Sequence, residues 1–156
     1  MIHELLNEKQ TVELLAQCEE KLAELYQVYA DRFPEEAAFW EQLAKEERGH
    51  ARWVQALLPG VRKRLITFRE DRFGSPAFML FYDYIVQRLQ EIRNPITLLG
   101  ALIVAVDIEN TLVEKSFYDV FTTADPESAR LLALLSRSSD AHLRRVREKW
   151  REHQKR

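Results

Sequence analysis

A single cysteine, Cys18, among 156 residues excludes an internal disulfide and any four-cysteine metal knot from this chain. Four glycines and five prolines are too few for a turn-rich β fold. Alternating apolar and polar residues are equally scarce, while helical apolar spacing of about 3.5–3.6 residues dominates, so the expected class is all-α. No uninterrupted apolar run approaches the roughly 18–20 residues that a membrane span needs. The opening "MIHELLNEKQ" carries acids and lacks the basic start and apolar core of a signal peptide. These absences lead to the expectation of a cytoplasmic protein with no membrane partner. There is also no phosphate-cradling glycine loop and no nucleophile motif. What remains has the composition of an ordinary globular protein, long enough for one domain, 1–156, with a substantial core.

Prolines mark the joints. A first helix is predicted over 9–32, and Pro34 then opens a second over 35–58, stopped at Pro59–Gly60. The stretch "VRKRLITFREDRFGS" has no helical stripe and carries a Gly-Ser-Pro break, which predicts a connection. A shorter helix follows over 77–93, with Phe78, Phe81, Ile85, Leu89 and Ile92 on one face. Asn94–Pro95 is expected to cap a helix over 95–122, and Asp125 with Pro126 to start the last, over 126–153. Two short joints imply two antiparallel hairpins, and the long middle segment suits a crossover between them.

The chain also repeats itself. "EEKLAE" at Glu19–Glu24 aligns without gaps on "ENTLVE" at Glu109–Glu114. "PEEAAFWEQLAKEERGHARWV" from Pro34 aligns without gaps on "PESARLLALLSRSSDAHLRRV" from Pro126, which pairs Leu43 with Leu135, His50 with His142 and Val54 with Val146.

Each long helix interrupts its apolar seam with a polar residue about half-way along. The seams read Val12, Leu15, Glu19, Leu22, Tyr26, Phe33; then Phe39, Leu43, Glu47, His50, Val54, Leu57; then Leu102, Val106, Glu109, Leu112 or Val113, Val120; then Leu132, Leu135, Ser139, His142, Val146, Trp150. In antiparallel hairpins mid-helix groups fall at one level, so Glu19, Glu47, His50, Glu109 and His142 are expected to cluster, with Ser139 beside them. Three carboxylates in a dry core would each cost several kcal/mol uncompensated, and crowding would raise their pKa values. A metal cation removes both penalties, because it favours carboxylate and neutral imidazole.

On these residues the chain resembles the ferritin-like family of di-iron carboxylate bundles, most of all its rubrerythrin-like branch, over nearly all its length except the central crossover. The resemblance implies a four-helix bundle of two antiparallel hairpins joined by a long crossover with an extra short helix. In that family a Glu from each of two helices joins a Glu-x-x-His from each of the other two. Glu19 and Glu109 match the single-Glu positions, Glu47 with His50 the first Glu-x-x-His, and His142 the histidine of the second. The sequence departs at "SDAH", where Ser139 stands in place of a bridging glutamate. Either an asymmetric metal pair or a single ion is therefore expected, iron first, with manganese or zinc as alternatives. Asp140 projects about 100° away from Ser139 and is a poor substitute.

The resemblance further implies peroxide reduction or ferrous-iron oxidation, with Tyr26 tuning the metal or relaying an electron. The lone cysteine leaves no rubredoxin-type centre, so the reductant would come from a separate partner. Two other readings stay open: a non-catalytic metal-binding or sensing bundle, and a metal-free scaffold. Cys18 points off the seam and is expected to be inert. The tail "HLRRVREKWREHQKR" intersperses its cations with Glu148 and Glu152 and reads as a solvated helix end, not a nucleic-acid site. Trp40 and Trp53 flank the second seam and are candidates for a homodimer contact.

Overall fold

The computed structural model describes residues 6–69, 75–114 and 117–156, and most of them are helical. Helix α1 (Glu8–Arg32) begins with a reciprocal cap. The Asn7 side chain accepts from the Gln10 backbone N–H at 2.8 Å, and the Gln10 side chain accepts from the Asn7 N–H at 3.0 Å. Pro34–Glu36 form a single 3₁₀ turn, and α2 (Ala37–Gln55) follows. The return is antiparallel: the Tyr29 and Trp40 rings meet near the joint, and Gln55 at the far end of α2 donates to Glu20 midway along α1. Every expected residue of the first seam, from Val12 to Phe33, is buried between these helices.

The second helix ends earlier than its sequence suggests. Pro59–Gly60 does not stop it; a turn at Ala56–Leu57 does, and Pro59 then sits in the first turn of a short helix, α3 (Leu58–Arg62). Gly60 packs closely there: a Cβ would lie 2.8 Å from Ser128 Oγ and 2.9 Å from Ile66 Cδ1, so a larger residue would make those side chains shift. Arg64, with φ 59°, turns the chain into strand β1 (Ile66–Phe68). The segment expected to be a plain connection thus holds a helical turn and a strand. The Gly-Ser-Pro break begins outside the described residues. Helix α4 (Ser75–Glu91) lies against α1, with Phe78, Phe81 and Ile85 buried.

Helix α5 (Leu98–Glu114) starts three residues later than expected, because Thr97 rather than Asn94 caps it: the Gly100 N–H donates to Thr97 Oγ1 at 3.0 Å. It also stops early. The expected continuation to Thr122 is replaced by a 3₁₀ turn, Phe117–Val120, and by strand β2 (Phe121–Thr123). Strand β2 pairs antiparallel with β1 in the register Ile66–Thr123, Thr67–Thr122 and Phe68–Phe121. The β-branched and aromatic run "VFTT" favours this pleated ribbon over a last helical turn. Helix α6 (Pro126–Gln154) starts as expected: Asp125 accepts from both the Ser128 N–H (3.1 Å) and the Ser128 hydroxyl (2.6 Å). α6 runs antiparallel to α5, since Arg147 donates to Asn110 while Ser139 and Leu112 line one cavity.

The apolar core is a contiguous cluster drawn from α1, α2, α4, α5, α6 and the Phe117–Val120 turn. Its aromatic end gathers Tyr26, Tyr29, Phe39 and Trp40. Trp40 is fully buried, so it replaces the half-buried Phe39 on the inner face of α2 and is not available as a dimer contact. Trp53 is half-buried and stacks on His50. Among the described residues, no helix is long and apolar enough to cross a membrane.

Candidate metal centre

Four helices deliver the polar seam residues to one level. Glu19 comes from α1, Glu47 and His50 from α2, Glu109 from α5 and His142 from α6, each at most 3 % exposed. Glu47 is the middle of the group. Its Oε2 accepts from His50 Nδ1 at 2.9 Å and its Oε1 from His142 Nδ1 at 2.7 Å. The two imidazoles stack with ring centroids 4.8 Å apart. Glu19 Oε2 stands 3.8 Å from His50 Nδ1, and Glu109 Oε1 stands 3.8 Å from His142 Nδ1. All five residues expected from the sequence are therefore brought together.

The arrangement repeats itself around Glu47 as the sequence does. His142 donates from Nε2 to Glu46 Oε2 (2.7 Å), and His50 donates from Nε2 to Ser138 Oγ (2.6 Å). Glu46 and Ser138 occupy equivalent places in the two aligned blocks, as do Glu47 and Ser139. Each histidine thus reaches across to the other block's helix. The tyrosines cross over too: Tyr26 on α1 donates to Glu109 at 2.7 Å, and Tyr118 in the turn after α5 donates to Glu19. Tyr26 was expected at the site. Tyr118 was not, because the expected helix over 95–122 hid it. The β-branched run after it was the available signal that the helix had already ended.

The symmetry fails at the two serines. On the first side α2 offers Glu46 and Glu47; on the second, α6 offers only hydroxyls at Ser138 and Ser139. Ser139 is buried next to a cavity of about 220 Å³ whose walls include Leu112, Tyr118, Ser136 and Asp140. Asp140 itself is exposed and does not take the missing carboxylate's place.

Proton affinities follow from this packing. Burial would raise the Glu47 carboxyl, but the imidazoles of His142 and His50 outweigh it and hold the group well below the usual range. Burial opposes charge on the histidines as well. Their carboxylate neighbours, Glu47 foremost, nevertheless push His50 up to about 10 and His142 up to about 11. Burial, then repulsion from Glu47, raises Glu19 well above its ordinary value and Glu109 to about 7. The packing thus favours a Glu47 carboxylate between two protonated imidazoles, with Glu19 and Glu109 drawn toward their neutral forms. Burial followed by the charge of Glu19 raises the Cys18 thiol, which stays protonated and inert.

The donor set fits a metal. One atom each from Glu47, His50 and His142 lie within 4.8 Å of one another. Glu19 Oε2 and Glu109 Oε2 are buried carboxylate oxygens with no hydrogen-bond partner, an arrangement that costs free energy unless a cation or water satisfies it. Glu46, a carboxylate acceptor, holds the Nε2 proton of His142, which leaves its Nδ1 free to coordinate when the imidazole is neutral, and Ser138 Oγ pairs with His50 Nε2. No family model, curated protein or solved structure matches the chain.

Proposed function

We propose that this cluster holds one or two transition-metal ions, iron first, and that the chain is a rubrerythrin-like redox protein that reduces peroxide or oxidises ferrous iron. The observation that carries the reading is a buried Glu47 between two imidazole Nδ1 atoms, at 2.9 and 2.7 Å, flanked by unpartnered oxygens of Glu19 and Glu109. The antiparallel pairs α1/α2 and α5/α6, with α4 in the connection between them, support a ferritin-like four-helix arrangement. Electrons would come from a separate donor protein. A homodimer stays part of the reading, with its contact elsewhere than the buried Trp40.

In this reading Glu47, His50 and His142 are the shared core of the ligand set, with Glu19 and Glu109 completing one side each. Bound iron would supply a redox-active Lewis acid able to exchange electrons with peroxide or dioxygen. The chain's own residues set the conditions for that chemistry. Tyr26 and Tyr118 fix the orientation of Glu109 and Glu19 through their hydroxyls. Glu46 fixes the His142 tautomer, Ser138 pairs with the His50 ring, and the surrounding apolar seams exclude bulk water.

The test is anaerobic loading with ferrous iron, elemental analysis per chain, and then peroxide consumption with a supplied reductant. About one or two irons with turnover above free iron is the expected result. No bound metal, after equal trials with manganese and zinc, would overturn the reading and leave a metal-free scaffold. Ser139 favours a second reading, a non-catalytic metal-binding or sensing bundle, which a single tightly held ion without peroxide turnover would support.

A further inference from the structure

The cluster is sealed on most sides, and a cation has to reach it. In the cavity beside Ser139, solvent-exposed carboxylates, buried hydroxyls and a hydrogen bond to the cluster follow one another. Asp119 and Asp140 are exposed and line it, Ser136 is half-buried in its wall, and Ser139 and Tyr118 are buried in it. Ser139 is only 3 % exposed and lines the inner part of this cavity. Tyr118 donates directly to Glu19, so the phenol is shared by the cavity and the ligand set. His142 follows Ser139 by one turn of α6. On the other side of the repeat, Glu47 fills the equivalent position, so the cavity lies beside a serine where the first block has a carboxylate.

We propose that this cavity is the entry route for divalent cations to the buried centre, an inference that rests on the metal-binding reading above. Its groups are oxygen donors throughout, ordered from charged at the mouth to neutral at the base. Carboxylates at a partly enclosed mouth concentrate cations and repel anions. Hydroxyls deeper in replace hydration water without holding the ion so tightly that it stops there. At about 220 Å³ the space accommodates a small hydrated cation.

The experiment follows cobalt(II) binding to the full-length metal-free chain by stopped-flow absorbance at low ionic strength. The double variant Asp119→Asn/Asp140→Asn keeps shape at two exposed positions and removes only charge. Its uptake should be slowed roughly tenfold, with the final stoichiometry unchanged and the gap closing in molar salt. A control, Asp31→Asn/Asp83→Asn, makes the same change in net charge at exposed positions elsewhere and should bind at the wild-type rate. Ser139→Leu, which fills the base of the cavity, should also slow uptake while leaving the helical signal intact. Equal rates in wild type and the Asp119/Asp140 variant, or equal slowing in the control, would overturn the route while leaving the metal centre standing. Failure of the wild type to bind cobalt at equilibrium would overturn both.

Discussion

Two halves of one cluster sit side by side in this molecule, built from aligned sequence and unequally equipped. The α1/α2 half presents Glu19, Glu46, Glu47 and His50; the α5/α6 half presents Glu109, Ser138, Ser139 and His142. Geometry has been kept where chemistry has not. Both histidines still point Nδ1 at Glu47, both still reach across with Nε2, and each single Glu still receives a tyrosine hydroxyl from the opposite half. A shared backbone plan therefore accommodates two hydroxyls on one side where the other has two carboxylates, with one central anion holding both imidazoles.

The comparison is broken most completely at that anion. Glu47→Ala should abolish metal binding and lower stability by about 3–5 kcal/mol at neutral pH, as removal of one partner from a buried ion pair does. Its counterpart, Ser139→Ala, should stay within about 0.5 kcal/mol. Chemical denaturation of both, with elemental analysis, checks the contrast. Near-equal effects would mean that the two halves are not divided as described.

Restoring the missing group sharpens the same comparison. Ser139→Glu should raise metal content from about one ion per chain toward two after saturating load, because four carboxylates balance two divalent charges. A wild type that holds two ions equally tightly, or a variant that holds no more metal and holds it no more tightly than wild type, would count against an asymmetric centre.

A smaller effect is expected from pH. The folded-state values of His50 and His142, about 10 and about 11, lie above the unfolded value of 6.5. Their stabilising contribution is thus fully present below pH 6.5 and lost as pH rises through 10 to 11. Glu109, raised to about 7 from 4.5, adds a penalty that builds between those two values and is constant at higher pH. Metal-free protein should therefore lose stability steadily above pH 7, with the folded form binding about two more protons than the unfolded form in that range. Metal binding should tighten over the same interval, releasing roughly three protons per loaded centre. Denaturation midpoints and calorimetric proton counts in buffers of different ionisation heat measure both.

The finest test is the pair of crossed tyrosines. Tyr118→Phe and Tyr26→Phe should each cost about 1 kcal/mol, the usual worth of one side-chain hydrogen bond. With metal bound, Tyr118→Phe should weaken the Glu19 side and Tyr26→Phe the Glu109 side, which competition with a colorimetric chelator would separate.

The polar positions along four apolar seams were legible because each breaks a helical period that the core otherwise keeps. Glu19, Glu47, His50, Glu109 and His142 were found this way before any contact was known. Phase near the helix ends was harder to read. Trp40 and not Phe39 turns inward, because the buried stripe of α2 runs through Trp40, Leu43, Glu47, His50 and Val54, and Phe39 lies one residue off it. Tyr118 stayed hidden because "LVEKSFYDVF" is apolar enough to extend a helix; what ends it is pairing with β1, some fifty residues away in sequence. A Pro-Gly pair was read as a stop because the residues themselves allow either a stop or a start. Only the packing of Gly60 against Ser128 and Ile66 decides between them.

The three-residue ribbon has a consequence beyond shape. It fastens the chain just after α3 to the segment that carries Tyr118, with the Arg69 N–H donating to Val120 at 2.8 Å beyond the last paired residues. Parting the strands would draw Tyr118 off Glu19 and widen the cavity beside Ser139 together. The fraying of one short hairpin-like clasp and the exchange of ions at a buried centre would then share a single clock, set by a segment that touches neither histidine.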